Sequence, residues 1–590
     1  MEKKISESGN MFGKAPFFGI VIMMVVITGL LMDSSRADGD NFYADIIRLD
    51  NVTTKIHQNY VEELSSKELI DNAIKGMMNS LDPYTSYFEA RDYEELRIHT
   101  EGKFGGLGIQ ISIRDDVLTV MTPISGTPAS RAGVQSGDQI IKIDGESTRG
   151  ISIEDAVNKL RGAPGSPVSI LIRRKGAAKD IEYSITREII NIKSVPFYGV
   201  LDDSLGYIQL SNFSQEAASE VERAIRVLLD EGIKGLVFDL RNNPGGLLPQ
   251  AIEVADKFLP QKSLVVSTRG RVRSQNNDFY GHGPSVLPED FPLAVMVDYS
   301  SASASEIVAG AIQDWDRGII VGDTTFGKGS VQSVLPLDKA HHLKLTTALY
   351  YTPSGRGINR SDMRRNDTAS GENRDESEDE SENSDTKEYN TKNGRVVFGG
   401  GGIIPDIVVE RDIPKMPVRA LFGKDAFFQF VNTKYPLLQE RNQRVGPDFV
   451  VTDEIMEAFY GYLDSIDFTY NSIAQLQFEE FKKKSGLIPD TTIDSTRAKL
   501  LEFPQWSEAE LEVIKAATAQ MDSVLAQDSR RAVENNELEI RRHLRDAFLA
   551  REFGQDHELV FRIRLKEDEQ LKKAMEIISD ADTYNNLLNP

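Results

Sequence analysis

Residues Phe291–Asp314 read FPLAVMVDYSSASASEIVAGAIQD. An apolar run ends at Val297, four serines (Ser300, Ser301, Ser303 and Ser305) are interleaved with alanine, and a helical repeat follows. A buried strand that passes through a tight turn into a helix is the repeating junction of an α/β or α+β core. Small hydroxyl residues have two uses at such a junction. Ser303, with Glu306 three residues on, is a capping-box pattern ahead of an apolar run. The same turn projects a serine hydroxyl and aims the amide of Ala304 where an oxyanion forms in acyl transfer. The residues of this stretch leave both readings open.

A nucleophilic serine needs a base. The chain has seven histidines. His57 and His99 belong to or just follow the first helical region, and His543 and His557 belong to the C-terminal one. His282 sits in a loop and His341–His342 at a hairpin-like turn, none of them in a recognisable triad context. GDTTFGKGSVQS, Gly322–Ser333, offers another base. Lys328 lies between two glycines and enters an alternating segment in which Lys328, Ser330 and Gln332 share one face. Such a lysine is either a solvated charge or a base. To act as base its pKa must fall from about 10.4 to about 7.5, roughly 4 kcal/mol against the charged form, which burial can supply. Gln332 could orient the amine without adding charge.

Two glycine turns complete the set. In LVFDLRNNPGGLL the adjacent Gly245 and Gly246 either form a plain tight turn or lend a second amide to an oxyanion hole. In FGGLGIQI, Gly106, Leu107, Gly108 and Ile109 lead into a strand, where several amides can face a carboxylate and a peptide can add alongside.

The chain around these junctions is too long for one core, at 590 residues. A net charge of −23 excludes general affinity for nucleic acid, and the absence of cysteine excludes disulfides, thiolate metal sites and a cysteine nucleophile. Lys3, Lys4 and Lys14 precede a charge-free run, Pro16–Met32. At about 1.5 Å per residue that run just spans a bilayer. We read 1–15 as a cytoplasmic tail and 16–32 as a single-pass anchor, or else a cleaved signal peptide. The catalytic region then lies on the extracytoplasmic, periplasmic side of an inner membrane. Residues 41–100 show helical spacing, and 101–190 read as short alternating strands with a single helix. The span 191–412 alternates strands and helices, with 361–391 as an acidic, solvated insert. The remainder, 413–590, is helical and highly charged.

Together LDPYTSYF, FGGLGI through SPVSILIRR, FDLRNNPGG, SSASASEIVAGAIQD, GDTTFGKGSVQ and TTALYYTPSGRGI resemble, in order, the C-terminal processing peptidases, or tail-specific proteases. The resemblance covers about Ile46 to Val409. It implies a multidomain α+β chain with a Ser-Lys core of the ClpP/crotonase type and an inserted PDZ domain. Ser303 is then the nucleophile, Lys328 the general base and Gln332 the lysine's support. The oxyanion hole maps to Ala304 and to Gly245 or Gly246. The loop at Gly106–Ile109 would receive a substrate's C-terminal carboxylate. The implied partners are protein tails, and no cofactor or metal is implied. Two departures stand out, the acidic insert and the helical extension, whose role is open: it could join a second copy, hold an adaptor or pack on the core, and its apolar stripes favour a second copy. The rival functions are a catalytically silent PDZ scaffold at the cell envelope and a Ser-His hydrolase using His282 or His341.

Overall fold

The computed structural model of the chain describes residues 42–360, 387–440, 443–485, 487 and 506–589. It divides into two units, Met1–Ser80 and Leu81–Pro590. The described part of the first is two helices, Phe42–Asn59 and Ser66–Asn79, as their apolar spacing predicts. The tail and the anchor read at 1–32 lie outside the described residues. No described helix is long and apolar enough to cross a membrane.

The second unit is organised by a six-stranded sheet in the order Phe197–Val200, Leu205–Gln209, Gly235–Asp239, Leu293–Val297, Ile319–Gly322, Ile407–Val408. The first pair is antiparallel and the rest are parallel. The central runs GLVFD, LAVMV and IIVG are buried throughout because helices cover both faces. Phe238, Val295 and Val297 pack with the helices Ala217–Asp230, Leu248–Asp256 and Ala304–Asp314. The alternate residues Val237, Ala294 and Met296 pack with Leu571, Ala574, Ile577 and Tyr584.

That second layer comes from the C-terminal extension. The helices Glu569–Ser579 and Ala581–Leu588 spend their apolar stripes on the sheet, one of the roles the sequence leaves open for that extension. Polar contacts fix them there: Tyr584 Oη accepts from Leu293 N at 3.0 Å, and Arg241 bonds to Asp568 and Gln570. Of the helices before them, Met416–Gly423, Ala426–Glu440, Asp453–Ser465, Glu537–Phe553 and Glu558–Leu565 build a core of their own around Phe430, Phe459 and Phe548, while Glu508–Glu534 leaves Val513, Met521 and Val524 exposed.

A second sheet holds Ser86–Glu89, His341–Tyr351, Leu264–Arg269 and Asn277–Tyr280, with Ser330–Pro336 also paired to His341–Tyr351. The β unit expected at 101–190 is present. Its sheet begins with the edge strand Ile109–Arg114. It carries two helices where the sequence reading had one, because Pro128 at the first helical position starts a short turn, Pro128–Ala132, besides Ile153–Leu160. The solvated insert also needs trimming. Residues 361–386 lie outside the described residues, but Glu388–Asn390 is a strand paired with Val396–Phe398, and Thr391 is buried. The dense run of carboxylates ends at Asp385, and only Glu388 of the strand is acidic.

Candidate active site

Three turns leave the carboxyl ends of neighbouring parallel strands, after Asp239, Val297 and Gly322. In an open α/β sheet this edge is where ligands bind. The turns are laced to each other. Asp298 Oδ1 accepts from Asn242 N and Ser300 N, both at 3.0 Å. Asn243 O accepts from Ala302 N at 3.1 Å and Ser305 Oγ at 2.9 Å, and Phe326 N donates to Ser301 O at 3.0 Å.

Ser303 sits where the turn enters the Ala304–Asp314 helix, with φ 55° and ψ −109°. A non-glycine residue pays about 1–3 kcal/mol for such a conformation, and it persists only where its surroundings impose it. Glu306 imposes it here. Its carboxylate, fully buried, accepts from Ser303 N at 2.8 Å, Thr325 Oγ1 at 2.6 Å, Gly327 N at 2.7 Å and Lys328 N at 2.9 Å. The residue that the sequence offers as a helix cap therefore also ties down the lysine turn. Burial pushes the Glu306 carboxyl above its ordinary range, opposed by these hydrogen bonds.

Lys328 is partly buried, and its Nζ lies 4.8 Å from the centroid of the Tyr84 ring. Among the described residues the amine forms no ion pair. Burial and then the like charge of Lys344 hold its pKa below the usual lysine range, while Glu306 and Asp82 pull weakly the other way. Gln332 lies nearby in sequence but directs its amide elsewhere: Nε2 donates to Ser330 Oγ at 2.9 Å and Thr346 Oγ1 at 3.4 Å.

The PGG turn lies directly against the serine. A Cβ on Gly245 would meet Ala302 O at 2.7 Å and Ala304 N and Ser303 Cβ at 2.9 Å, and its φ of 98° is left-handed. The two glycine amides differ. Gly245 N donates to Asn243 Oδ1 at 2.9 Å, whereas Gly246 N has no partner among the described residues. Gly246 makes its bridge to Phe213 through its neighbours, Phe213 N to Gly245 O and Leu247 N to Phe213 O.

In the smaller β unit, Gly106, Leu107, Gly108 and Ile109 form the loop into the edge strand. Leu107 is buried, and its carbonyl accepts from Ala129 N at 3.0 Å. The amides of Leu107 and Gly108 have no partner among the described residues. This loop runs straight into the open edge strand Ile109–Arg114, with the helix Ile153–Leu160 packed beside it.

The histidines are engaged elsewhere. His341 Nδ1 bonds Asp338 at 2.8 Å and its ring stacks on Tyr87, while His342 stacks on Tyr93. His282 is exposed in its loop. Sequence reasoning missed four residues: the double role of Glu306, and the contributions of Tyr84, Lys344 and Tyr350. Burial pushes the Tyr350 phenol up to about 12, while a hydrogen bond with the Ser303 side chain acts the other way. Tyr84 and Tyr350 were visible inside LDPYTSYF and TTALYYTPSGRGI, but no spacing rule ties either to Ser303 or Lys328.

Comparison with known proteins places these residues in a family. Residues 204–366 match Peptidase family S41, 119–174 match a PDZ domain, and 28–92 match the activating protease CtpB N-terminal domain. The chain is 42% identical over 324 residues to the carboxy-terminal-processing protease of Bartonella bacilliformis, covering 54% of this chain and 73% of that protein. It is 38% identical over 314 residues to the carboxyl-terminal-processing protease of Synechocystis sp., covering 52% and 72%. With the carboxy-terminal processing protease CtpB of Bacillus subtilis it shares 33% over 337 residues, covering 56% and 69%. The chain belongs to the carboxy-terminal processing proteases, serine peptidases of family S41, and it carries a PDZ domain.

The clamp makes a direct prediction. Glu306→Gln keeps the size but turns an amide donor toward donors, so at least one of the four hydrogen bonds is lost. Hydrogen bonds to a charged acceptor are worth about 1.5–3 kcal/mol each, so the loss should be at least that large. Thermal unfolding of the full chain should show a lowered midpoint, and labelling by a fluorophosphonate probe should slow sharply. An unchanged midpoint with unchanged labelling would show that the clamp is dispensable.

Proposed function

We propose that the protein cleaves peptide bonds with a Ser303–Lys328 dyad and selects substrates by their C-terminal tails. The observation that carries this reading is the shared clamp: one buried carboxylate takes hydrogen bonds from the main chain of both Ser303 and Lys328. In this reading a substrate tail adds as a strand along Ile109–Arg114, its carboxylate on the amides of the Gly106–Ile109 loop. Neutral Lys328 takes the proton from Ser303 Oγ as that oxygen attacks the scissile carbonyl carbon. The amides of Ala304 and Gly246 receive the oxyanion. Gly245 serves instead by having no side chain in that space, since its own amide is committed to Asn243. The protonated lysine then donates to the leaving amine, and water releases the acyl group by the same route. Gln332 acts at one remove, through Ser330 and the strand that follows Lys328.

Ser303→Ala should abolish cleavage of a tailed protein substrate while leaving tail binding intact, and Lys328→Ala should do nearly the same. Retained proteolysis by purified Ser303→Ala protein would end this assignment, and absence of cleavage by the wild-type protein itself would favour the silent scaffold.

Tail selection has its own test. A peptide with an amidated C-terminus should be cut at least about tenfold more slowly than the free acid, since a hydrogen-bonded charge is worth about 1.5–3 kcal/mol. Equal rates would remove the carboxylate from the recognition step.

We also place the catalytic region outside the cytoplasm, on the strength of the lysine-flanked, charge-free run at 16–32. Alkaline extraction of cell membranes should leave the full chain in the pellet and release a chain lacking residues 1–32. Release of both would overturn the anchor.

A further inference from the structure

The cover over Lys328 comes from far away in the chain. LDPYTSYF, residues 81–88, is by its composition a Pro-containing turn at the end of the first helical region. In the structure Asp82 Oδ1 accepts from Tyr84 N at 2.8 Å and Thr85 N at 2.9 Å, and Asp82 Oδ2 accepts from Thr85 Oγ1 at 2.8 Å. Thr346 N donates to Thr85 Oγ1 at 3.2 Å, and Ser86–Glu89 pairs antiparallel with His341–Lys344. The turn is thereby fixed to the sheet strand that also pairs with the segment following Lys328. Tyr84 is delivered onto the lysine amine, 4.8 Å from ring centroid to Nζ.

We infer that Tyr84 is a positioning residue for the general base: its ring is a wall that keeps the Lys328 amine out of water, and the Asp82–Thr85 turn holds that wall in place. The inference rests on the reading of Lys328 as the base. A ring over an amine acts in two directions. Cation–π attraction favours the ammonium by roughly 2- to 30-fold. Exclusion of water disfavours it, by roughly a thousandfold or more at full burial and by less for this partly buried amine. Burial leads the causes that hold the Lys328 pKa down, so the wall acts mainly by exclusion. The other charges facing the amine are Lys344 from the His341–Tyr351 strand, Glu306 from the Ala304–Asp314 helix and Asp82 from the turn itself. Lys344 opposes protonation. Both carboxylates have hydrogen-bonded donors of their own and make no ion pair with the lysine. The Tyr84 ring, 4.8 Å from centroid to Nζ, is the aromatic face set over the amine.

The test is the pH dependence of the rate at which a fluorophosphonate probe labels Ser303 in the full chain. Wild-type protein should show an acid limb below the ordinary lysine range. Tyr84→Phe and Tyr84→Leu, which keep apolar bulk, should keep that limb. Tyr84→Ala admits water, and its limb should move up by about one pH unit, giving about tenfold slower labelling near neutrality and recovery at high pH. Tyr84→Gln, which keeps bulk but brings a polar amide, should move it the same way and serves if the alanine variant fails to fold. A purely structural role would lower the plateau without moving the limb. The inference fails if Tyr84→Ala or Tyr84→Gln keeps the wild-type limb, or if Tyr84→Leu loses it. Lys328→Ala separates this failure from that of the dyad: wild-type labelling in that variant removes the base itself, and this inference with it.

Discussion

The site depends on where one buried carboxylate directs its hydrogen bonds. Glu306 lies close enough to Lys328 to attract it, and a direct ion pair would be ruinous for a base. At about 4 Å and an effective dielectric constant near 20, unlike charges attract by about 4 kcal/mol. That equals the roughly 4 kcal/mol by which the lysine must be shifted to act near neutrality. Instead the carboxylate is taken up by the amides of Ser303, Gly327 and Lys328 and the hydroxyl of Thr325. The charge that could have pinned the amine as ammonium pins the main chain on either side of the site. Thr325 carries the brace one step further, its hydroxyl accepting from Ile403 N at 2.7 Å.

The clamp has meaning only because the sheet brings the serine and lysine turns together. Both faces of that sheet must be covered for apolar runs such as LAVMV to be buried, and one cover comes from within the peptidase region, the other from the C-terminal extension. The helices that carry the site pack on one face. The other is closed by the last helices of the chain, through Leu571, Ile577 and Tyr584. Arg241 stitches this cover to the turn bearing Gly245 and Gly246. It bonds Asp239 and Asp568, and Asp239 also accepts from Tyr207 Oη at 2.7 Å. The guanidinium is satisfied on several sides, the condition under which a buried ion pair is tolerated.

Elements governed by local period and junction chemistry were legible in the sequence. The strand, turn and helix around Ser303, the glycine turns and the edge strand at Ile109 follow from alternation, helical spacing and the demands of tight turns. The Ser303 and Lys328 turns could be paired only through family resemblance, because nothing local says that two turns share a sheet edge. Residues whose roles come from long-range packing were not legible. Glu306 matched a capping box, and it does bond the Ser303 amide; its bonds to Thr325, Gly327 and Lys328 depend on a turn about twenty residues away. The proposed choice of Gly246 over Gly245 rests on one side-chain acceptor, Asn243 Oδ1, which no spacing rule supplies. The C-terminal stripes showed that something must cover them, but period alone cannot distinguish a second copy from the chain's own sheet.

The two halves of the proposed dyad are held by different kinds of structure. Ser303 is over-determined: its strained backbone is fixed by Glu306, and its turn is braced through Asp298 and Asn243. Nothing short of unfolding the core would release it. The environment of Lys328 is more conditional. Its backbone shares the clamp, but its amine is kept dry by a ring on a turn anchored through a four-residue strand and the Thr85 hydroxyl. Segments with few such bonds open at lower free-energy cost than core strands. An amine disfavoured as ammonium by exclusion of water regains its proton when water returns, whereas the serine geometry survives the same opening. The nucleophile is therefore built in permanently, and the strength of the base follows the seating of its cover.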